Sequence, residues 1–166
     1  MRKIKWIAIH CTAGYGDVDS IKRYWKNVLG WKEVGYHFFI YRNGTVVQLA
    51  DISKVTNGVK GFNSNSVHIS YQGGVELNNV NKAKDTRTPE QKQAILQTIK
   101  TIYDQLKFNQ DVSDIRIQGH RDFSPDKNGN GVVDPWERIK ECPSFDAIPE
   151  YAWIKGPESL RQKGII

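Results

Sequence analysis

The sequence predicts one α/β domain built on a central mixed β-sheet flanked by helices. Three observations lead there. Short apolar runs of strand length are interleaved with stretches of helical period, the pattern of a sheet covered by helices. An Asn43-Gly44 pair between two apolar runs marks an antiparallel hairpin within that sheet. Thr88-Pro89-Glu90-Gln91 opens one long helix, with a Thr cap, Pro at the first helical position and Gln three residues after the cap.

Taken in order, residues 5–10 alternate and then run continuously apolar, a strand that delivers His10 at its end. Residues 17–20 supply N-cap candidates for a short helix to about Val28, with Ile21, Trp25 and Val28 on one apolar face and Gly30 as its stop. Residues 36–41 and 45–49 flank Arg42-Asn43-Gly44, and Asn-Gly predicts a tight two-residue turn. Residues 58–66, rich in Gly, Asn and Ser, form a surface loop before a buried strand at 67–71. Residues 78–87 are polar and read as an exposed insertion, not a domain linker. From Thr88 the main helix runs to about Leu106, with Ile95, Ile99, Ile102 and Leu106 at helical spacing. Ile115 and Ile117 alternate in a short strand that ends at Gly119-His120. His10 and His120 therefore meet if their strands are neighbours. There is no internal repeat or second domain: residues 1–155 form one unit, followed by an extension at 156–166 with a short helix from Pro157. That extension either packs on the core or attaches the chain to a partner.

At 166 residues the chain is long enough to bury most of its apolar surface. A hydrophobic fraction of 39%, with five Trp, seven Tyr and six Phe, excludes a disordered chain. No stretch approaches the roughly 18 apolar residues of a membrane span, so no membrane partner is expected. Met1-Arg2-Lys3 looks like a signal-peptide start, but the apolar segment ends at His10 with no small-residue cleavage pattern behind it. The expectation is synthesis in the cytoplasm without a signal peptide, where Cys11 and Cys142 stay free thiols. A net charge of +6 fits an anionic partner or a solvated surface. No basic stripe or arm, zinc finger or RNA-binding signature is present, so nucleic acid is not the expected partner.

Candidate metal ligands are His10 in Ile9-His10-Cys11-Thr12, His120 in Gly119-His120-Arg121-Asp122, and Cys142 in Lys140-Glu141-Cys142-Pro143. Two imidazoles and a thiolate hold Zn²⁺ with a fourth position left for water, the donor set of a catalytic site. The thiolate narrows the metal towards zinc. The three are scattered along the chain, so spacing alone does not decide. Cys11 follows His10 on a strand and faces the other way, which makes it a buried apolar side chain and not a ligand. His37 likewise faces away from Tyr36, towards a core or supporting hydrogen bond. His68 reads either as a substrate-groove residue or as a satisfied structural histidine. Asp122 reads as a partner that orients a ligand imidazole, as an ion pair with Arg121, or as a turn former.

A second metal pattern occupies residues 126–137. Asp126, Asn128, Asn130 and Asp134 stand at positions one, three, five and nine of a twelve-position calcium loop, with Gly131 at six, the Val132 carbonyl at seven and Glu137 at twelve. The expectation is a lone Ca²⁺ loop, leading into a helix at residues 136–141, that fixes the distance between His120 and Cys142. The other reading is a polar turn that binds nothing.

Ile9-His10-Cys11-Thr12-Ala13, Gly35-Tyr36-His37-Phe38, Gly119-His120-Arg121-Asp122 and Lys140-Glu141-Cys142-Pro143-Ser144-Phe145-Asp146 occur in that order across most of the chain. With them the chain resembles the zinc-dependent N-acetylmuramoyl-L-alanine amidases of the amidase-2 type, above all the amidase-type phage lysozymes and the related peptidoglycan recognition proteins. The resemblance implies a zinc in a surface groove, held by His10, His120 and Cys142, within an amidase catalytic domain at 1–155. It places catalytic roles on Tyr36 and Lys140, which by themselves read as a core aromatic and a solvated lysine. The implied reaction is hydrolysis, by zinc-activated water, of the amide between N-acetylmuramic acid and the L-alanine of the stem peptide. Tyr36 would hydrogen-bond the water or the tetrahedral intermediate, and Lys140 would face the developing oxyanion. The implied partner is peptidoglycan, met at the bacterial cell wall by a monomeric endolysin. A non-catalytic peptidoglycan-binding module is the alternative, and retention of Cys142, Tyr36 and Lys140 favours the enzyme. One departure is Ser70, where some members carry a Glu base, so the proton route here rests on other groups.

Overall fold

Trp6–Cys11 forms β1, the strand on which the rest is assembled. It pairs in parallel with β4, Ser66–Tyr71, on one side and with β7, Arg116–Gly119, on the other. Short β2, Phe38–Ile40, runs parallel to β4, and β3, Val46–Gln48, closes that edge antiparallel to β2. The mixed sheet thus has the order β3-β2-β4-β1-β7 in the computed structural model, which describes residues 1–165. A separate two-stranded ribbon, β5 at Val75–Glu76 and β6 at Asn79–Ala83, stands out from it.

Alternation along the strands sorts the side chains into two layers. Ile7, Ile9, Val67, Ile69, Phe38 and Ile40 join the core with the long helix α2, Pro89–Leu106. Of α2, Ile95, Ile99, Ile102 and Leu106 are fully buried, and each such side chain contributes about 1.5–3 kcal/mol by burial. The start of α2 is also tied to the sheet. Thr88 and Gln91 complete the predicted capping box, and the Gln91 amide donates to the carbonyls of Ile40 and Gln72. On the opposite layer lie Ala8, His10, His68 and Ser70, the face that carries the site.

Several local expectations need correction. The hairpin turn has three residues: Tyr41 N–H donates to Thr45 O at 2.9 Å, Gly44 N–H to Tyr41 O at 2.8 Å, and Gly44 takes the left-handed position at φ +88°. Gly44 thus supplies a bulge after a common turn instead of half of a two-residue turn. The first helix is α1, Val18–Arg23, and it widens into a π-turn at Tyr24–Val28, where Leu29 N–H reaches Tyr24 O. The wide turn rotates the expected apolar face, so Trp25 is buried but Val28 is 67% exposed. The exposed insertion at 78–87 holds β6, which pairs with β5 just before it. The helix expected at 136–141 is a single 3₁₀ turn, Pro135–Glu137, because Ile139 N–H is drawn to Ser124 Oγ and Arg138 is extended.

Two short helices follow, α3 at Ala147–Tyr151 and α4 at Pro157–Gln162. Leu160 and Ile165 of the 156–166 extension are buried in the same core cluster as α2; its last residue, Ile166, lies outside the described residues. Among the described residues no helix is long and apolar enough to cross a membrane. Because Ile99 is fully enclosed, Ile99→Ala should lower unfolding free energy by about 2–5 kcal/mol, read as a fall in urea midpoint at unchanged m-value.

Candidate active site and metal centre

Strand register brings the two histidines together. Ile9 is paired with Gly119, so His120, the first residue after β7, comes beside His10, and the ring centroids are 4.8 Å apart. The third residue arrives on a separate segment that is clamped to the first two. Arg121 N–H donates to Cys142 O at 2.8 Å, and the buried Arg121 guanidinium pairs with the carboxylates of Asp146 and Glu141. Gly119 is required at this crossing, since a Cβ there would stand 2.5 Å from Pro143 Cδ. Finally Cys11 N–H donates to Cys142 Sγ at 3.1 Å, a bond that favours the thiolate. The ligand atoms of His10, His120 and Cys142 all lie within 4.8 Å of one another.

The chemistry of this donor set fits a zinc ion. His10 is fully buried, its Nε2 is 2.9 Å from His68 Nδ1, and its Nδ1 has no hydrogen-bond partner among the described residues. A buried, unpaired ring nitrogen is costly unless something ligates it. Burial first, then the neighbouring His68 and His120, holds His10 well below the ordinary histidine range. Burial, with Lys140, pushes His120 down to about 4. Both imidazoles therefore present lone pairs at neutral pH. Burial pushes the Cys142 thiol well up, so a metal entering here displaces a proton from sulfur.

Above the triad is a groove of about 610 Å³ whose lining includes Tyr36, His120, Lys140 and Cys142. Tyr36 lies two residues before β2, and its ring sits 4.9 Å from that of His10 and 5.3 Å edge-on from that of Trp25. Burial raises the Tyr36 phenol, so it remains a hydrogen-bond donor at neutral pH. Lys140 is exposed at the groove, and its charge is felt by both histidines. Ser70 is the register partner of His10, and its buried Oγ has no hydrogen-bond partner; no carboxylate takes that place.

His68 is not a groove residue. It sits two residues before Ser70 on a central strand, where it is fully buried and bonded to His10 and to Asn63 Oδ1. His37 makes the expected supporting bond, accepting His68 N–H at Nδ1. Asp122 forms the turn: its Oδ2 accepts Gly119 N–H at 2.8 Å. Cys11 is buried in the core, Cys142 is partly buried against it, and both are free thiols. Sequence reasoning misses the groove walls, which include Trp25 and Trp31 after α1 and Val80 and Asn81 from the β5–β6 ribbon. Trp31 beyond the Gly30 stop was the one available signal.

The loop at 126–137 closes on itself. Buried Glu137 accepts N–H bonds from Lys127 and Asn128 on one oxygen and from Asp134 on the other, at 2.7–3.0 Å. Asp126 accepts from Gly129 and Gly131, and Asp134 from the amides of Asn128 and Asn130. Among the described residues, the cluster of His, Cys, Asp and Glu close enough to share one ion is the His10, His120 and Cys142 group.

The sequence profile of the N-acetylmuramoyl-L-alanine amidases matches residues 1–143. The chain belongs to this family. It is an amidase of the peptidoglycan-hydrolase kind. It is similar to the endolysin of Klebsiella phage KP32, with 33% identity over 143 residues that cover 84% of this chain and 80% of that protein. Its fold is similar to that of PGRP-SA from Apis mellifera, at TM-score 0.67 and 18% identity over 93% of this chain and 86% of that one. It is also similar to that of the amidase LysC from Clostridium intestinale, at TM-score 0.61 and 19% identity over 99% and 88%.

The protonation states give a direct test. With both imidazoles neutral and the thiol protonated, zinc binding at pH 7 should release about one proton, and affinity should fall as pH is lowered. Calorimetry in buffers of different ionisation enthalpy measures that proton.

Proposed function

We propose that His10, His120 and Cys142 hold a catalytic zinc and that Tyr36 and Lys140 act on the scissile amide between N-acetylmuramic acid and L-alanine. The observation that carries this reading is the buried, partnerless Nδ1 of His10, within 4.8 Å of the other two donors at a groove. When bound, zinc supplies a Lewis acid that lowers the pKa of water to about 7 and polarises a carbonyl.

The chain's own groups supply the rest. Cys11 N–H donates to the Cys142 sulfur and would stabilise the thiolate once a metal displaces its proton. The Tyr36 phenol, kept protonated by burial, donates a hydrogen bond towards charge developing on the amide oxygen. Lys140, free at the groove edge, adds a positive charge to the same region. No carboxylate base faces His10, since Ser70 fills that register position. Proton delivery to the leaving nitrogen therefore falls to Tyr36, Lys140 or water in the groove. Trp25 and Trp31 offer apolar walls against which a peptide or sugar face can lie.

The setting proposed is the bacterial cell wall, where the endolysin relatives act, with the net charge of +6 attracting the chain to an anionic polymer. The partner proposed is peptidoglycan, met by a monomer, with neither nucleic acid nor membrane as a partner. We also carry forward Ca²⁺ for the 126–137 loop, with Asp126, Asn128, Asn130, the Val132 carbonyl, Asp134 and Glu137 as ligands. Its support is the twelve-position pattern alone. Two-oxygen ligation by Glu137 competes with three N–H bonds, so binding on the order of millimolar is expected.

Purified peptidoglycan should be cleared with release of stem peptides bearing a free L-Ala amino terminus, identified by mass. Cys142→Ala should lose both zinc and activity. Tyr36→Phe and Lys140→Ala should retain zinc and slow turnover by about 10²–10³-fold; full activity in Cys142→Ala would refute the mechanism. For the loop, calorimetry of chelator-treated protein should give heat and a raised Tm in millimolar Ca²⁺. Neither signal would leave Glu137 as the sole closure of the loop.

A further inference from the structure

We infer that His68 is a positioning residue that fixes the tautomer of His10 and so aims the bare Nδ1 of His10 at the metal site. The inference rests on the reading of His10 as a ligand. It starts at Asn63. Asn63 Oδ1 accepts Val59 N–H at 2.7 Å, which identifies it as the oxygen, and the same atom is 2.9 Å from His68 Nε2. An oxygen can only accept, so His68 carries its proton on Nε2. His68 is fully buried, and its side chain bonds only to Asn63 and His10. With no carboxylate to balance a charge, the ring is neutral. Its Nδ1 is then a lone pair, 2.9 Å from His10 Nε2. His10 must donate there, which places its proton on Nε2 and leaves Nδ1 bare. That is the atom found buried without a partner.

The relay is held from two further directions. The His68 ring stacks on His37 at 5.9 Å with an interplanar angle of 15°, while His68 N–H donates to His37 Nδ1. On the other side the ring occupies space that exists because residue 58 is glycine: a Cβ on Gly58 would lie 2.4 Å from His68 Nδ1. A methyl group at 58 would therefore strike the atom that accepts the His10 hydrogen bond.

Nitrogen-15 NMR of the imidazoles in zinc-free protein reads the tautomers directly, and both His10 and His68 should be protonated on Nε2. A competition titration with a chromogenic chelator should show zinc affinity reduced about 10–100-fold in His68→Ala. His68→Asn, whose Oδ1 replaces Nδ1 as acceptor, should recover most of that loss. Gly58→Ala should weaken zinc in the wild-type background and have little effect once His68 is Ala, a non-additivity that general destabilisation would not produce. A proton on His10 Nδ1 in the zinc-free wild-type protein would overturn the relay even if the variants failed to fold. So would unchanged zinc affinity in folded His68→Ala. Absence of zinc binding by the wild-type chain would overturn the metal reading and, with it, the positioning role; the metal-free tautomers would still show separately whether the relay exists.

Discussion

Everything at the site depends on β1 being paired in parallel on both edges. A strand inserted between two parallel neighbours has its register fixed twice, and a slip of one residue would turn His10 into the core. With the register as it is, β4 sets Ser70 and His68 around His10, and β7 delivers His120 at its end. The core under α2 enforces the same choice, because Ile7 and Ile9 are fully buried only in that register. Packing energy on one face of the sheet thus holds the chemistry on the other.

Burial is also the source of the site's electrostatics. Low-dielectric surroundings keep the imidazoles neutral, the Tyr36 phenol protonated and the Cys142 sulfur reluctant to ionise. Two of these effects prepare the ligands and donor without any acidic partner. The third opposes metal entry, and the Cys11 N–H bond to the sulfur partly offsets it. Lys140, left in solvent, is the basic residue of the motif at the groove edge.

How much of this was legible in the sequence follows from which physics acts locally. The capping box at Thr88, the isoleucine period of α2 and the apolar runs of β1 and β4 are set by neighbours in the chain, and they read correctly. The motifs that carry His10, His120, Cys142, Tyr36 and Lys140 were legible, and the fold brings the first three together. His68 was not, because its role comes from Asn63 and Gly58 across a loop, and no spacing encodes that. The Gly44 turn was misread because Asn-Gly serves both two- and three-residue hairpins, and the choice lies in strand pairing. The helix expected at 136–141 stopped after one turn because Ser124, far back in the chain, captures Ile139 N–H.

That last bond has a wider meaning when set beside the Arg121 N–H bond to Cys142 O. The two contacts cross-tie the base of the excursion between His120 and Cys142. Beyond them the chain closes through Glu137 and its own turns. The excursion is mechanically a bracket with its own brace: its tip can lengthen, shorten or change sequence while the two anchor points keep their separation. A segment of this kind is where a binding peptide could be grafted at the rim of the groove while His120 and Cys142 keep their places.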